Sequence, residues 1–199
     1  MPYNLIVFTI SLLILLSIII SDRQFSTQQL FYFFFYGTMI FLIAFLLSLG
    51  IQYTRIPEFI PRPILNIIIE ESSRFFILTV FIISSKHFST TYIQLQFAMV
   101  SGIIFALLES AGYILHLSLL AFLIRLLIVT PLHIFLTMLQ VRLVKKGFIL
   151  AIILHSIYNY SYDIGSPLTQ IMQIVILSSW FWIIGWLNAA KAKPFNPFL

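Results

Sequence analysis

Cysteine is absent from the 199 residues, which excludes disulfides, thiolate metal sites and cysteine nucleophiles together. Charge is nearly as scarce: 9% of residues are charged and only six are acidic, too few for the surface of an ordinary soluble domain. In their place, 61% of residues are hydrophobic and the mean hydropathy is +1.07. Any chemistry must therefore come from glutamate, histidine, serine, asparagine or arginine. The formal net charge of +5 points to contact with an anionic lipid leaflet and not to nucleic acid.

Apolar stretches of about 20 residues, each able to cross a hydrocarbon core of about 30 Å, recur along nearly the whole chain. They fall at 3–20, 30–51, 64–84, 94–115, 118–141, 148–162 and 168–188. The expected fold is all-α, a polytopic membrane helix bundle of about seven transmembrane helices. The count could be six or eight, because the sixth run is short and the fourth and fifth barely separate. No hydrophilic linker or internal repeat divides the chain, so 1–199 reads as a single integral membrane domain. The first run lacks a basic n-region and a small-residue cleavage site before Ser21 and Asp22, and reads as a retained helix.

Cytoplasmic loops carry an excess of Lys and Arg. Seven spans put Arg23, Lys86, Arg142, Lys145, Lys146, Lys191 and Lys193 on one side and only Arg55 and Arg62 on the other. This places the N-terminus outside and the C-terminus in the cytoplasm. Segment 52–63 contains Pro57, Pro61 and Pro63 and reads as an outer loop. The run Phe31 to Tyr36 reads as an aromatic belt at an interface or facing lipid.

Inside the spans the polar residues become specific. A carboxylate within an apolar helix costs about 2.5 kcal/mol or more, so it is retained for a reason. In the third span Arg74 follows Glu70 by four residues and Glu71 by three, in the favourable order of carboxylate before cation. Adjacent glutamates point about 100° apart on a helix, so Arg74 can neutralise one more fully than the other. An ion pair that merely eases insertion leaves the second glutamate unexplained. In the fourth span Phe105, Glu109 and Tyr113 form one stripe beside Gly102, Ala106 and Ser110, small residues spaced for close helix packing. The fifth span carries Arg125, Pro131, His133 and Thr137; the sixth carries His155 and Asn159 one turn apart, where an amide can orient an imidazole or share an oxyanion with it. His87 and His116 lie near span ends and read as interfacial. The up-down path brings Glu70, Glu71, Glu109, His133, His155 and Asn159 to similar depth, facing one cavity in the outer half of the membrane.

The set Glu70-Glu71-x-x-Arg74, Phe105-x-x-x-Glu109, His133 and His155-x-x-x-Asn159 resembles the PrsW branch of the glutamic intramembrane proteases, related to the CAAX prenyl proteases and the bacteriocin-processing proteins. The resemblance covers 64–162, which would be the motif-bearing catalytic core. The glutamate in Phe-x-x-x-Glu favours the PrsW side, and Arg74 stands where lysine is more usual. The resemblance implies hydrolysis of a peptide bond near the outer membrane face of a bacterial plasma membrane. Glu70 or Glu71 would activate water, Arg74 would support the pair, and His155 and Asn159 would stabilise the oxyanion, with Glu109 and His133 completing the site. It further implies a membrane-protein substrate, such as a single-span anti-sigma factor, and no obligatory cofactor.

Other membrane-protease chemistries lack their residues. There is no His-Glu-x-x-His, no Gly-x-Ser, no cysteine, and Asp22 and Asp163 fall in loops. A zinc ion held by glutamates and histidines is the enzymatic alternative. A non-proteolytic immunity or scaffold protein, or a proton-coupled transporter, is the alternative of another class, although no inverted repeat supports transport.

Overall fold

The computed structural model describes residues 26–54, 61–84, 90–164 and 167–192. Every regular element among them is helical: α1 Thr27–Gln52, α2 Arg62–Ser84, α3 Thr91–Ala111, α4 Leu119–Leu143, α5 Lys145–Ile164 and α6 Leu168–Ala192. These coincide with the second to seventh expected spans, while the run at 3–20 lies outside the described residues. Four helices, α1, α3, α4 and α6, are long and apolar enough to cross a membrane, as in an integral membrane protein. The polar motifs lie largely on the other two, α2 and α5.

Helix ends follow local chemistry that hydropathy does not see. The Ser26 hydroxyl accepts from Gln29 N–H while Gln29 Oε1 accepts from Ser26 N–H, a reciprocal cap that starts α1. Thr90 and Ser118 cap α3 and α4 through their hydroxyls. Pro63 sits in the first turn of α2, where its missing N–H leaves no bond unmade. Most expected boundaries move by one to four residues, and two of the shifts have a clear local cause. The fourth span stops at Ala111 instead of 115, because Gly112 begins a series of turns, and this takes Tyr113 off the helix. The sixth extends back to Lys145 and on to Ile164: the lysines end an apolar run but not a hydrogen-bonded one, and Asp163, expected in a loop, lies in the last turn of α5. Val144, the one non-glycine residue with positive φ among those described (48°), joins α4 to α5.

The central pair is α3 and α4, which share the most extensive contact in the bundle. On one flank α1 packs on α3 and α2; on the other α6 packs on α4, with α5 between α4 and α2. Phe33, Phe97, Phe105, Leu78 and Phe122 fill the first flank, and Leu132, Leu136, Tyr158 and Ile176 the second. The aromatic run at the start of α1 is only partly a belt: Phe31 and Phe35 are exposed, but Phe33 is fully buried against Phe97. A helix cannot turn six consecutive rings outward.

The small-residue stripe of α3 does what its spacing implies. Gly102, Ala106 and Ser110 are all buried, and a Cβ on Gly102 would lie 2.8 Å from the His133 carbonyl oxygen and 2.7 Å from Ile134 Cα. Close approach here sets the position of His133 on α4. Gly102→Val should therefore destabilise the bundle by about 1–3 kcal/mol, the usual range for overpacking. Gly185, with nothing within 4 Å of an added Cβ, should accept alanine without loss. Thermal unfolding of both variants in detergent checks the pair; equal stability would contradict the packing.

Candidate functional site

Glu71 is the centre of a buried polar network built from α2, α3, α4 and α5. Its side chain is fully buried, and both oxygens are used. Arg74 Nη1 donates to Oε1 and Oε2 at 2.5 and 2.6 Å, Gln140 Nε2 donates to Oε2 at 2.6 Å, and His155 Nδ1 lies 2.8 Å from Oε1. A carboxylate accepts here, so Nδ1 of His155 bears the hydrogen. The 100° offset between adjacent glutamates thus resolves in favour of Glu71 as the partner of Arg74.

The network continues through Arg74 to the second histidine. Arg74 Nη2 lies 2.9 Å from His133 Nδ1, and His133 Nε2 lies 2.7 Å from Glu109 Oε2. Arginine has donors only, so Nδ1 accepts and Nε2 donates to Glu109; the tautomer follows from the neighbours. Arg125 Nη2 closes the chain on Glu109 Oε1 at 2.6 Å, with its guanidinium 3.8 Å from the Tyr113 ring centroid. Phe105 covers the middle, 4.7 Å from the Arg74 guanidinium and 4.8 Å from the His133 ring. The two imidazoles are 5.5 Å apart, edge to face.

Glu70 stands apart from this saturation. Among the described residues it accepts no hydrogen bond, it is 23% exposed, and its Oε2 faces His155 Nε2 at 3.8 Å. The orienting bond from His155 Nδ1–H to Glu71 therefore leaves Nε2 directed at Glu70, the one carboxylate among the described side chains that accepts no hydrogen bond.

Two cavities flank this pair, where the sequence suggested one. Glu109, His133, His155 and Asn159 line a cavity of about 520 Å³, whose wall includes the apolar side chains Ala121, Ile124 and Val129. Glu70 lines a second, of about 280 Å³, beside α1. Glu109 and Tyr113 belong to both walls. Glu71 and Arg74 line neither, being enclosed between the helices. Glu109 and Tyr113, projecting between them, are what divides the space in two.

All seven residues singled out from sequence thus meet in one region: Glu70, Glu71, Arg74, Glu109, His133, His155 and Asn159. Sequence reasoning left out Arg125 and Gln140. Arg125 gave the same signal as Glu109, a charge inside an apolar run. Gln140, seven residues after His133 and on its face, gave a weaker one. His116 is exposed in the turn after α3, in accord with an interfacial place, and His87 lies outside the described residues.

Among the described residues few donors stand free for zinc. His133 has both ring nitrogens engaged, and His155 has one, so only His155 Nε2 and Glu70 remain as neighbouring free donors. Hydrolytic zinc takes three protein ligands, and among the described residues no group of three such side chains is placed to hold a metal.

Because Arg74 is buried, Glu71→Gln should cost about 3–5 kcal/mol, the effect of leaving one member of a buried pair uncompensated. Glu70→Gln, which breaks no hydrogen bond, should change stability little. Unfolding midpoints in detergent distinguish the two, and equal losses would refute the assignment. No family model, curated protein or solved structure matches the chain.

Proposed function

We propose that the chain is an intramembrane endopeptidase of the glutamic type, hydrolysing a peptide bond of a membrane-protein substrate near the outer membrane face. The observation that carries this reading is the division of labour between adjacent glutamates: Glu71 is saturated by three donor side chains, while Glu70 is free beside His155 at a cavity wall. The motif resemblance to the PrsW branch supports the same reading. About seven spans, an outer N-terminus and a cytoplasmic C-terminus in a bacterial plasma membrane complete it, with the 52–63 loop outside.

Glu70 takes a proton from water, and the hydroxide adds to the peptide carbonyl carbon. The Asn159 amide and His155, which in its protonated form donates from Nε2, face the resulting oxyanion across the 520 Å³ cavity. Collapse breaks the C–N bond, and the proton held by Glu70 passes to the leaving amine. Glu71 acts through His155 by fixing its ring, Arg74 acts through Glu71 and His133, and Glu109 acts through His133. This reading involves no metal step, and zinc held by glutamates and histidines is its enzymatic alternative.

Proton transport fits the network poorly. Arg74 stands between His133 and Glu71, and a guanidinium does not give up its proton, so the chain cannot relay protons from end to end.

In proteoliposomes with a single-span reporter substrate, Glu70→Gln should lower the cleavage rate by about 10²–10⁴-fold, the contribution of a general base, at unchanged thermal stability. Full activity of Glu70→Gln would sink the assignment. Coupled uptake of a solute along a pH gradient without cleavage would replace it with transport.

A further inference from the structure

The cavity beside α1 differs from its larger neighbour in what lines it. Ser48, Gln52, Asn66, Glu70 and Glu109 place polar groups on its wall. Ser48 and Gln52 are one turn apart in the last part of α1, and Asn66 and Glu70 are one turn apart on α2, so each pair shares a helix face. The cavity therefore runs from the helix ends, where Gln52 is exposed, to Glu70, eight residues or about 12 Å into α2. Its volume of about 280 Å³ gives room for several water molecules, since the share of one in the liquid is about 30 Å³. Asn66 Oδ1 is a buried acceptor with no hydrogen-bond partner among the described residues. An unsatisfied amide oxygen on a residue that lines a polar cavity is the kind of group that an ordered water satisfies.

The larger cavity has a mixed wall along α4, where Arg125 and His133 line it together with apolar side chains. Ala121, Ile124 and Val129 make an apolar strip beside Asn159 and His155, suited to the side chains of a peptide. Glu109 and Tyr113 separate the two spaces, and the Glu70–His155 pair lies between them. We infer that water and peptide reach the site by separate routes: the 280 Å³ cavity conducts water from the Gln52 end to Glu70, and Asn66 positions the attacking water there. This rests on the hydrolytic reading above. Asn66 is a positioning residue, holding the nucleophile one helical turn from the base. Separate routes also explain why Glu70 and Asn159 open on different cavities: attack and oxyanion capture occur on opposite sides of the same carbonyl.

The native absence of cysteine allows a direct test of the path that does not depend on activity. Single cysteines replace Gln52, Ser48, Asn66 and, as a control on the outward face of α1, the exposed Leu46. A membrane-impermeant thiol reagent is added to sealed vesicles from either face. Gln52→Cys, Ser48→Cys and Asn66→Cys should label from one and the same face. Leu46→Cys should label at least about tenfold more slowly, because only a hydrated thiolate reacts. Labelling of Asn66→Cys as slow as that of Leu46→Cys, or from the face opposite Gln52→Cys, overturns the path.

Kinetics then read the positioning role. Asn66→Leu should lower kcat by about a hundredfold at unchanged KM, the cost of a misplaced reactant, and Asn66→Gln should restore part of it. A raised KM at unchanged kcat would make the cavity part of the peptide cleft and overturn the inference. Failure of the wild type to cleave, with Asn66→Cys still labelled, overturns the reaction and leaves the aqueous path standing; cleavage with a dry Asn66 overturns the path alone.

Discussion

The structure depends on the satisfaction of one carboxylate, Glu71, in an apolar interior. A buried charge is tolerated only when every lone pair has a donor, and Glu71 draws on Arg74 from its own helix, Gln140 from α4 and His155 from α5. Three helices are thereby fixed in register by one side chain. The neighbouring Phe75–Phe148 stack between α2 and α5, with ring centroids 4.9 Å apart, adds an apolar contact but no comparable directional demand.

From that hub the charges balance along a single chain. Arg74 serves Glu71 and, through its other nitrogen, His133; Glu109 accepts from His133 and Arg125. Two guanidiniums thus answer two of the three carboxylates, and the third, Glu70, has His155 as its counterpart. Exposure does not follow this order: Glu71 is at 0%, Glu70 at 23% and Glu109, with two partners, at 29%. Glu70 and Glu109 both reach a cavity, and of the two only Glu70 does so without accepting a hydrogen bond among the described residues.

Much of this was legible in the sequence because polar residues are so rare in it. A glutamate or histidine within an apolar run has few explanations, and the spacing of Glu71 to Arg74, of Phe105 to Glu109 and of His155 to Asn159 already placed each group on a helix face. What remained illegible was pairing. Periodicity puts Arg74 within reach of both Glu70 and Glu71, and only the positions of α4 and α5 decide between them. Gln140 and Asn66 carried no charge to mark them, and their roles arise from what faces them across the bundle. The end of α3 at Ala111 escaped for a related reason: the apolar residues of the turn, Ile114 and Leu115 among them, continue the hydropathy of the helix after its hydrogen bonds have given way to those of successive turns.

Helices in an apolar medium gain little by hiding apolar faces from one another, so packing, small residues and hydrogen bonds must choose their partners. In this chain the small residues perform that task for α3 against α4, where Gly102 admits the backbone of α4 at His133 and Ile134. The hydrogen bonds perform it for α2 against α4 and α5. The least apolar helices are therefore those whose placement depends most on polar contacts, and those contacts are the same ones that orient His155 toward Glu70. Architecture and the geometry of the candidate site are coupled through Glu71: a change that loosens its three donors releases the imidazole as well as the helices. The second glutamate, costly to bury and unnecessary for an ion pair, has its physical rationale in that coupling, since one acid is held by the fold and its neighbour is left free beside the ring that the first one holds.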